Sequence, residues 1–284
     1  MPPLGAQDGR FSPAWSPSGP QQRRSAYAEP VSTMPLPRIL AQVTRDPGRP
    51  RLTWYGDGER VELSGHVLDN WVTKTANLLV EEYQAGPGTQ VLVDLPVHWR
   101  TLVWAMAVWR VGAAVLLPAG SAPAADVVVT DRPAGHGGEV VAVALPALAR
   151  SFDGDLPDDV LDAAATVLGY GDVLTWMPEP DPTASALVLP GRAVPHEDLA
   201  TWAGAATPDG TAPRVLIEPA PVDAEARGEA VAALLAEALT VYAADGSVVL
   251  CSPTVAADLG GDPERRRHLI ETEMVTLTSR TGPG

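Results

Sequence analysis

Five histidines stand at positions 66, 98, 136, 196 and 268, and a single cysteine at 251. None has metal-ligand spacing to another, so no metal centre is expected. Cys251 ends the apolar run Ser247-Val248-Val249-Leu250-Cys251 and reads as a buried small hydrophobe rather than a nucleophile. Ser64, Ser185 and Ser247 lack the Gly-x-Ser-x-Gly elbow that presents a catalytic hydroxyl. No G-x-G-x-x-G follows a strand, so a dinucleotide site has no support. The stretch ALVLPGRAVPHEDLATW, residues 186–202, reads as a short apolar strand, a tight turn and a capped helix. His196 lies in the first helical turn beside Glu197 and Asp198, where capping and solvation account for it without a ligand. No residue is assigned as catalytic, and no cofactor is expected.

The elements that position these residues alternate between two periods. Leu36, Ile39, Leu40 and Val43 recur at helical spacing. Arg51–Tyr55 and Arg60–Leu63 read as a hairpin around Gly56-Asp57-Gly58. Ser64 then caps a long helix. Further strands are expected at Gln90–Leu95, Ala113–Leu117, Asp126–Thr130, Val140–Ala144, Ala186–Leu189, Arg214–Ile217 and Val248–Cys251. Helices are expected at Trp99–Val111, 158–168, 195–206, 223–240 and 262–272, with Asp158-Asp159 at a helix N-terminus. The alternation predicts an α/β fold: a three-layer, mostly parallel sheet with flanking helices, plus the N-terminal hairpin. Trp71, Trp99, Trp104 and Trp109 are expected to pack in the core between helix and sheet; Trp104 and Trp109 are five residues apart, off a single face, and the alternative is that one is exposed for a protein contact. Residues 1–33, rich in Pro, Ser, Gly and Gln, are expected to be a disordered tail, with Met34 as an alternative start and 34–284 as the folded domain.

A net charge of −15 disfavours nucleic acid and anionic membranes, which repel an acidic surface. Nineteen of the basic residues are arginine and one, Lys74, is lysine. The arginines at 265–267 read as the polar face of a helix. No run approaches the ~18 apolar residues of a membrane span. The N-terminus lacks a basic start followed by an apolar core, so a cytoplasmic protein is expected.

The order of several segments resembles the N-terminal domain of adenylate-forming enzymes, the superfamily of acyl-CoA synthetases and adenylation domains. Arg49-Pro50-Arg51-Leu52-Thr53-Trp54 with Glu59-Arg60-Val61-Glu62-Leu63-Ser64 is similar to that family's opening hairpin. Thr75-Ala76-Asn77-Leu78-Leu79 resembles its first long helix. Ala107-Val108-Trp109-Arg110-Val111-Gly112-Ala113 with Pro118 resembles its helix–turn–strand. Pro180–Leu189 and Val194–Leu199 resemble the strand and helix that flank its phosphate loop. The collinear order across residues 37–277 carries the resemblance, which is to a short, truncated, AMP-binding-like form.

The resemblance implies a loop of the form T/S-S-G-T-T-G-x-P-K-G after Leu189, whose hydroxyls, backbone N–H groups and lysine hold phosphates. This chain has Pro190-Gly191-Arg192-Ala193, without hydroxyl or lysine. Where a histidine/aromatic strand is implied it offers Glu218-Pro219-Ala220-Pro221-Val222-Asp223. The magnesium-binding glutamate is not found; Tyr170-Gly171-Asp172 lies before the phosphate-loop position and lacks the Thr-Glu pair. The ribose-binding aspartate and the catalytic lysine would lie beyond residue 284, and Lys74, in an early helix, cannot replace that lysine. The expectation is therefore a catalytically inactive homologue with a vestigial pocket at Gly191, Arg192, His196 and Trp202. It would act as a protein-interaction or regulatory module, through a protein partner or a homo-oligomer. A small-molecule binding module for a nucleotide or acyl/CoA group, and part of a ligase completed by a second chain, are the alternatives.

Overall fold

The computed structural model describes residues 36–56, 58–119, 124–174, 176–205, 210 and 212–281. The expected tail at 1–33, and Met34, lie outside the described residues. In chain order the elements are α1 (Leu36–Val43), β1 (Pro50–Tyr55), β2 (Arg60–Ser64), α2 (Gly65–Tyr83), β3 (Gln90–Asp94), α3 (Trp99–Arg110), β4 (Ala114–Leu116), β5 (Val127–Thr130) and β6 (Glu139–Ala142). They continue with β7 (Val160–Asp162), α4 (Ala163–Thr166), β8 (Ser185–Leu189), β9 (Arg192–Pro195), α5 (Leu199–Trp202) and β10 (Arg214–Pro219). The last are α6 (Arg227–Ala243), β11 (Ser247–Cys251), α7 (Pro253–Gly261), α8 (Pro263–Thr272) and β12 (Leu277–Thr281).

The α/β class, with mostly parallel strands and flanking helices, is as the sequence implies. The strands divide between two sheets: five in the order β12-β10-β11-β1-β2 and seven in the order β7-β6-β5-β3-β4-β8-β9. Pairing is parallel except at the hairpins β1–β2 and β8–β9. Helix α3 explains why one core serves both sheets. Every residue from Trp99 to Trp109 is buried, and the helix packs against β1 of one sheet and β3 and β4 of the other. A helix apolar on all sides must be enclosed. Trp104 and Trp109 are both buried, which is the core packing expected of them; their separation of five ceases to matter when no face of the helix meets solvent.

The inner strands, such as β3, β5, β10 and β11, are buried on both faces and read as aliphatic runs. Val91, Val93, Val127 and Val129 join the central core while Leu92 and Val128 point the other way. In the first sheet Val248 and Leu250 face the helices between the sheets, whereas Leu216, Val249 and Cys251 lie under Val255, Leu259 and Leu269 of α7 and α8. Cys251 is thus the buried hydrophobe the sequence implies, and burial pushes its thiol up to about 12.

Buried polar groups fasten the layers. Arg51 has no exposed surface. Its guanidinium donates to the carbonyls of Gln42 (2.8 Å) and Val43 (3.0 Å) at the end of α1. It also donates to the carbonyls of Asp245 (2.7 Å) and Gly246 (3.0 Å) and to the Asp245 carboxylate (2.6 Å), in the turn between α6 and β11. Glu273, at the end of α8, accepts from Tyr55, Arg60 and Arg214. Burial alone would raise its carboxyl, but these hydrogen bonds outweigh it and hold it below the ordinary glutamate value. At the start of α6 a Cβ on Gly228 would lie 2.0 Å from the Pro118 carbonyl, so only glycine lets this helix meet the end of β4.

Several elements differ from expectation. The 158–168 stretch forms β7, the short α4 and a 3-10 turn; its cap is Asp162, which accepts from Ala164 and Ala165, while Asp158-Asp159 form a turn before β7. Helix α7 and strands β9 and β12 are additions. Ser64 caps α2 as expected, accepting from the Val67 N–H. His98 caps α3, accepting from the Arg100 N–H through Nδ1 (3.2 Å). Among the described residues no helix is long and apolar enough to cross a membrane.

Replacing Arg51 by methionine keeps the stem and removes every donor, leaving buried carbonyls unsatisfied. It should lower the unfolding free energy by about 3–5 kcal/mol in urea titrations, and Arg51→Lys, with fewer donors, should recover only part of the loss. Burial, with Arg100 beside it, pulls the His98 imidazole from 6.5 down to about 3. The folded value lies below the unfolded one, so the contribution of neutral His98 is present above pH 6.5 and is lost as pH falls toward 3. Thermal melts should show stability declining through that window, and the decline should be smaller in His98→Asn, which can still cap the helix.

Candidate functional site

The stretch 186–202 folds as a hairpin, not as strand, turn and helix. Strand β9 pairs antiparallel with β8, with Leu187 opposite Val194, Val188 opposite Ala193 and Leu189 opposite Arg192. Only Pro190 and Gly191 connect them. Gly191 has φ +69°, the left-handed region a Pro-Gly turn requires at its second central position. Both Gly191 and Arg192 are exposed. The helix expected at 195–206 shrinks to a 3-10 turn at His196–Asp198 and the single turn of α5. The sequence signal for β9 is weak, because its four residues offer a single buried position, Val194.

The four candidate residues occupy three places. Gly191 and Arg192 form the hairpin tip. His196 lies at the other end, its N–H donating to the Ala184 carbonyl (3.0 Å) just before β8. At the rise of an extended strand this is about 15 Å from the tip. Trp202 is half-buried against the central core. His196 is half-buried as well; burial lowers its pKa, and its Nε2 has no hydrogen-bond partner.

His196 borders a cavity that sequence reasoning did not anticipate. The cavity has a volume of about 660 Å³ and lies between α1, the end of α3 and the 177–182 loop. Leu40, Trp109 and Val111 form apolar walls, with Met177 and Pro178 across from them. Its parts are distant in sequence, and their convergence depends on how α1 docks, for which the chain carries no local motif.

A second unanticipated cluster sits at the C-terminal ends of β3 and β5. Buried Asp94 pairs with Arg132 (3.1 Å), lies 3.5 Å from Arg227 of α6, and is 3.7 Å from the His136 ring. Arg227 also binds Asp131 at 2.9 Å. Cations and carboxylates balance there, and the network joins the second sheet to α6. Glu218, on the segment expected to depart from the histidine/aromatic pattern, is buried and held by both arms of Arg266 (2.8 and 2.6 Å). Lys74 donates to the carbonyls of Leu168 and Tyr170, fixing the following loop to α2. Among the described residues no group of three or more His, Cys, Asp or Glu side chains could hold a metal ion.

No family model matches the chain. A Mycobacterium tuberculosis protein, named for its family and not for an activity, is 39% identical over 161 residues, covering 52% of this chain and 63% of that protein. The solved Brucella canis acyl-CoA synthetase superposes with a TM-score of 0.58 at 17% identity, covering 89% of this chain and 48% of that one. The N-terminal subdomain of Klebsiella oxytoca NpsA gives a TM-score of 0.56 at 14% identity, covering 87% and 61%. The chain thus spans 48–63% of the length of these three proteins. Its fold is that of the N-terminal part of the adenylate-forming enzymes, as acyl-CoA synthetases and adenylation domains have it.

Proposed function

We propose that this chain forms no adenylates and acts by binding, as a protein-interaction or regulatory module built on an adenylate-forming fold. The observation that carries the reading is the β8–β9 hairpin. An adenylating site must cradle a triphosphate with several donors, a pliable backbone and positive charge. Here the backbone of residues 192–195 is committed to a ladder, and the connection is two residues long. Arg192 is a single cation at its exposed tip.

A protein partner is the reading favoured by the loop after α4. Leu168, Val173, Trp176 and Met177 are all exposed, with Trp176 at 61%. Lys74 and Asn77 of α2 hold the backbone at Leu168 and Val173 through the carbonyls of Leu168, Tyr170, Gly171 and Val173. Exposed apolar side chains on a fixed backbone lose little entropy on docking. The cavity of about 660 Å³ favours a second reading, small-molecule binding.

Purified chain, with ATP, magnesium and a panel of fatty, aryl and amino acids, should give ATP–pyrophosphate exchange no faster than the protein-free control. Exchange above that control, retained through an added chromatography step, overturns the proposal.

A further inference from the structure

The cavity between α1, the end of α3 and the 177–182 loop has a definite electrostatic character. Among the charged groups around it, Asp69 and Arg110 cancel, bonded at 2.6 Å, and Arg110 spends its other arm on the Thr73 hydroxyl (2.7 Å). Among the described residues two carboxylates remain on its lining, Asp181 and Glu197, both exposed. Hydrogen bonds from the Thr183 hydroxyl and N–H lower the pKa of Asp181, so it is ionised at neutral pH. His196 adds no positive charge there, because burial lowers its pKa. The site thus pairs an apolar interior with two carboxylates that form no ion pair with an arginine or lysine among the described residues. Its volume falls in the range of sites that enclose small organic ligands.

We propose that this cavity binds a small amphipathic cation, an apolar body carrying one ammonium group. The body lies against Leu40, Trp109 and Met177, and the ammonium meets Asp181 and Glu197. An anionic ligand would face like charge at the mouth, and a neutral one would forgo a charge-assisted hydrogen bond. The site lies at the end of the hairpin remote from Gly191 and Arg192, so it is distinct from the phosphate-loop position. The inference deepens the small-molecule reading above and is independent of the adenylation test, since a cation site here stands whether or not exchange is observed.

The test is isothermal titration calorimetry with phenylbutylamine, phenylbutanol and phenylbutyrate, which share a body and differ in head group. The amine should bind at one site per chain, roughly tenfold more tightly than the alcohol, with the carboxylate weaker still. Ala41→Trp, at an exposed position on the cavity side of α1, should abolish amine binding while leaving the melting temperature unchanged. The double variant Asp181→Asn with Glu197→Gln should bring the amine to the affinity of the alcohol. No saturable binding, equal affinity for all three probes, or amine binding unaffected by Ala41→Trp each overturns the proposal.

Discussion

The arrangement of the first sheet rests on one buried guanidinium. Arg51 sits in the strand that is paired with β2 on one side and, in parallel, with β11 on the other. Parallel neighbours cannot be joined by a tight turn, so nearly two hundred residues separate Arg51 from Asp245, whose carboxylate it binds. Local hydrogen bonding cannot set that register. The guanidinium does so chemically, because its donors satisfy carbonyls from α1 and from the α6–β11 turn at once. Leaving any of these unpaired in the interior would cost about 1–3 kcal/mol. Arg45 and Arg49 add to the same knot, at 3.6 and 3.9 Å from the Asp245 carboxylate.

The docking of α1 has a consequence at some distance. Leu36, Ile39, Leu40 and Val43 all turn inward, yet Leu40 also walls the cavity. The guanidinium that seals the C-terminal end of α1 therefore also positions one wall of the ligand site. At the opposite ends of the second sheet's strands, Arg227 and Gly228 bring α6 onto Asp94 and Pro118. That end is filled by balanced charge and backbone contact, and the β8–β9 turn closes over its own strands. The cavity and the carboxylates of Asp181 and Glu197 lie at the end where His196 sits.

Features with a strong local period were legible in the sequence. The β1–β2 hairpin, the Ser64 cap, the inward stripe of α1 and the aliphatic strands follow from spacing and turn residues alone. The division into two sheets was not legible, because a buried strand such as Val127–Thr130 looks alike in either. Short elements were missed for a related reason. Strand β12, Leu277–Thr281, has no buried position and is held by pairing with β10. At 160–162, pairing with β6 overrode an apparent helical pattern that starts only at Ala163. The candidate site was half legible: the shortness of the Pro190-Gly191 connection is plain in the sequence, whereas the separation of His196 from Arg192 follows from β9, which is not.

The claim that the phosphate position is closed is tested most directly by titrating isotope-labelled protein with magnesium-ATP and following the amide resonances. The account predicts no saturable shift at Gly191, Arg192 or Ala193, because the turn offers no cradle and β9 stays paired. Saturable shifts centred on those residues, with loss of the β8–β9 pairing, would contradict it.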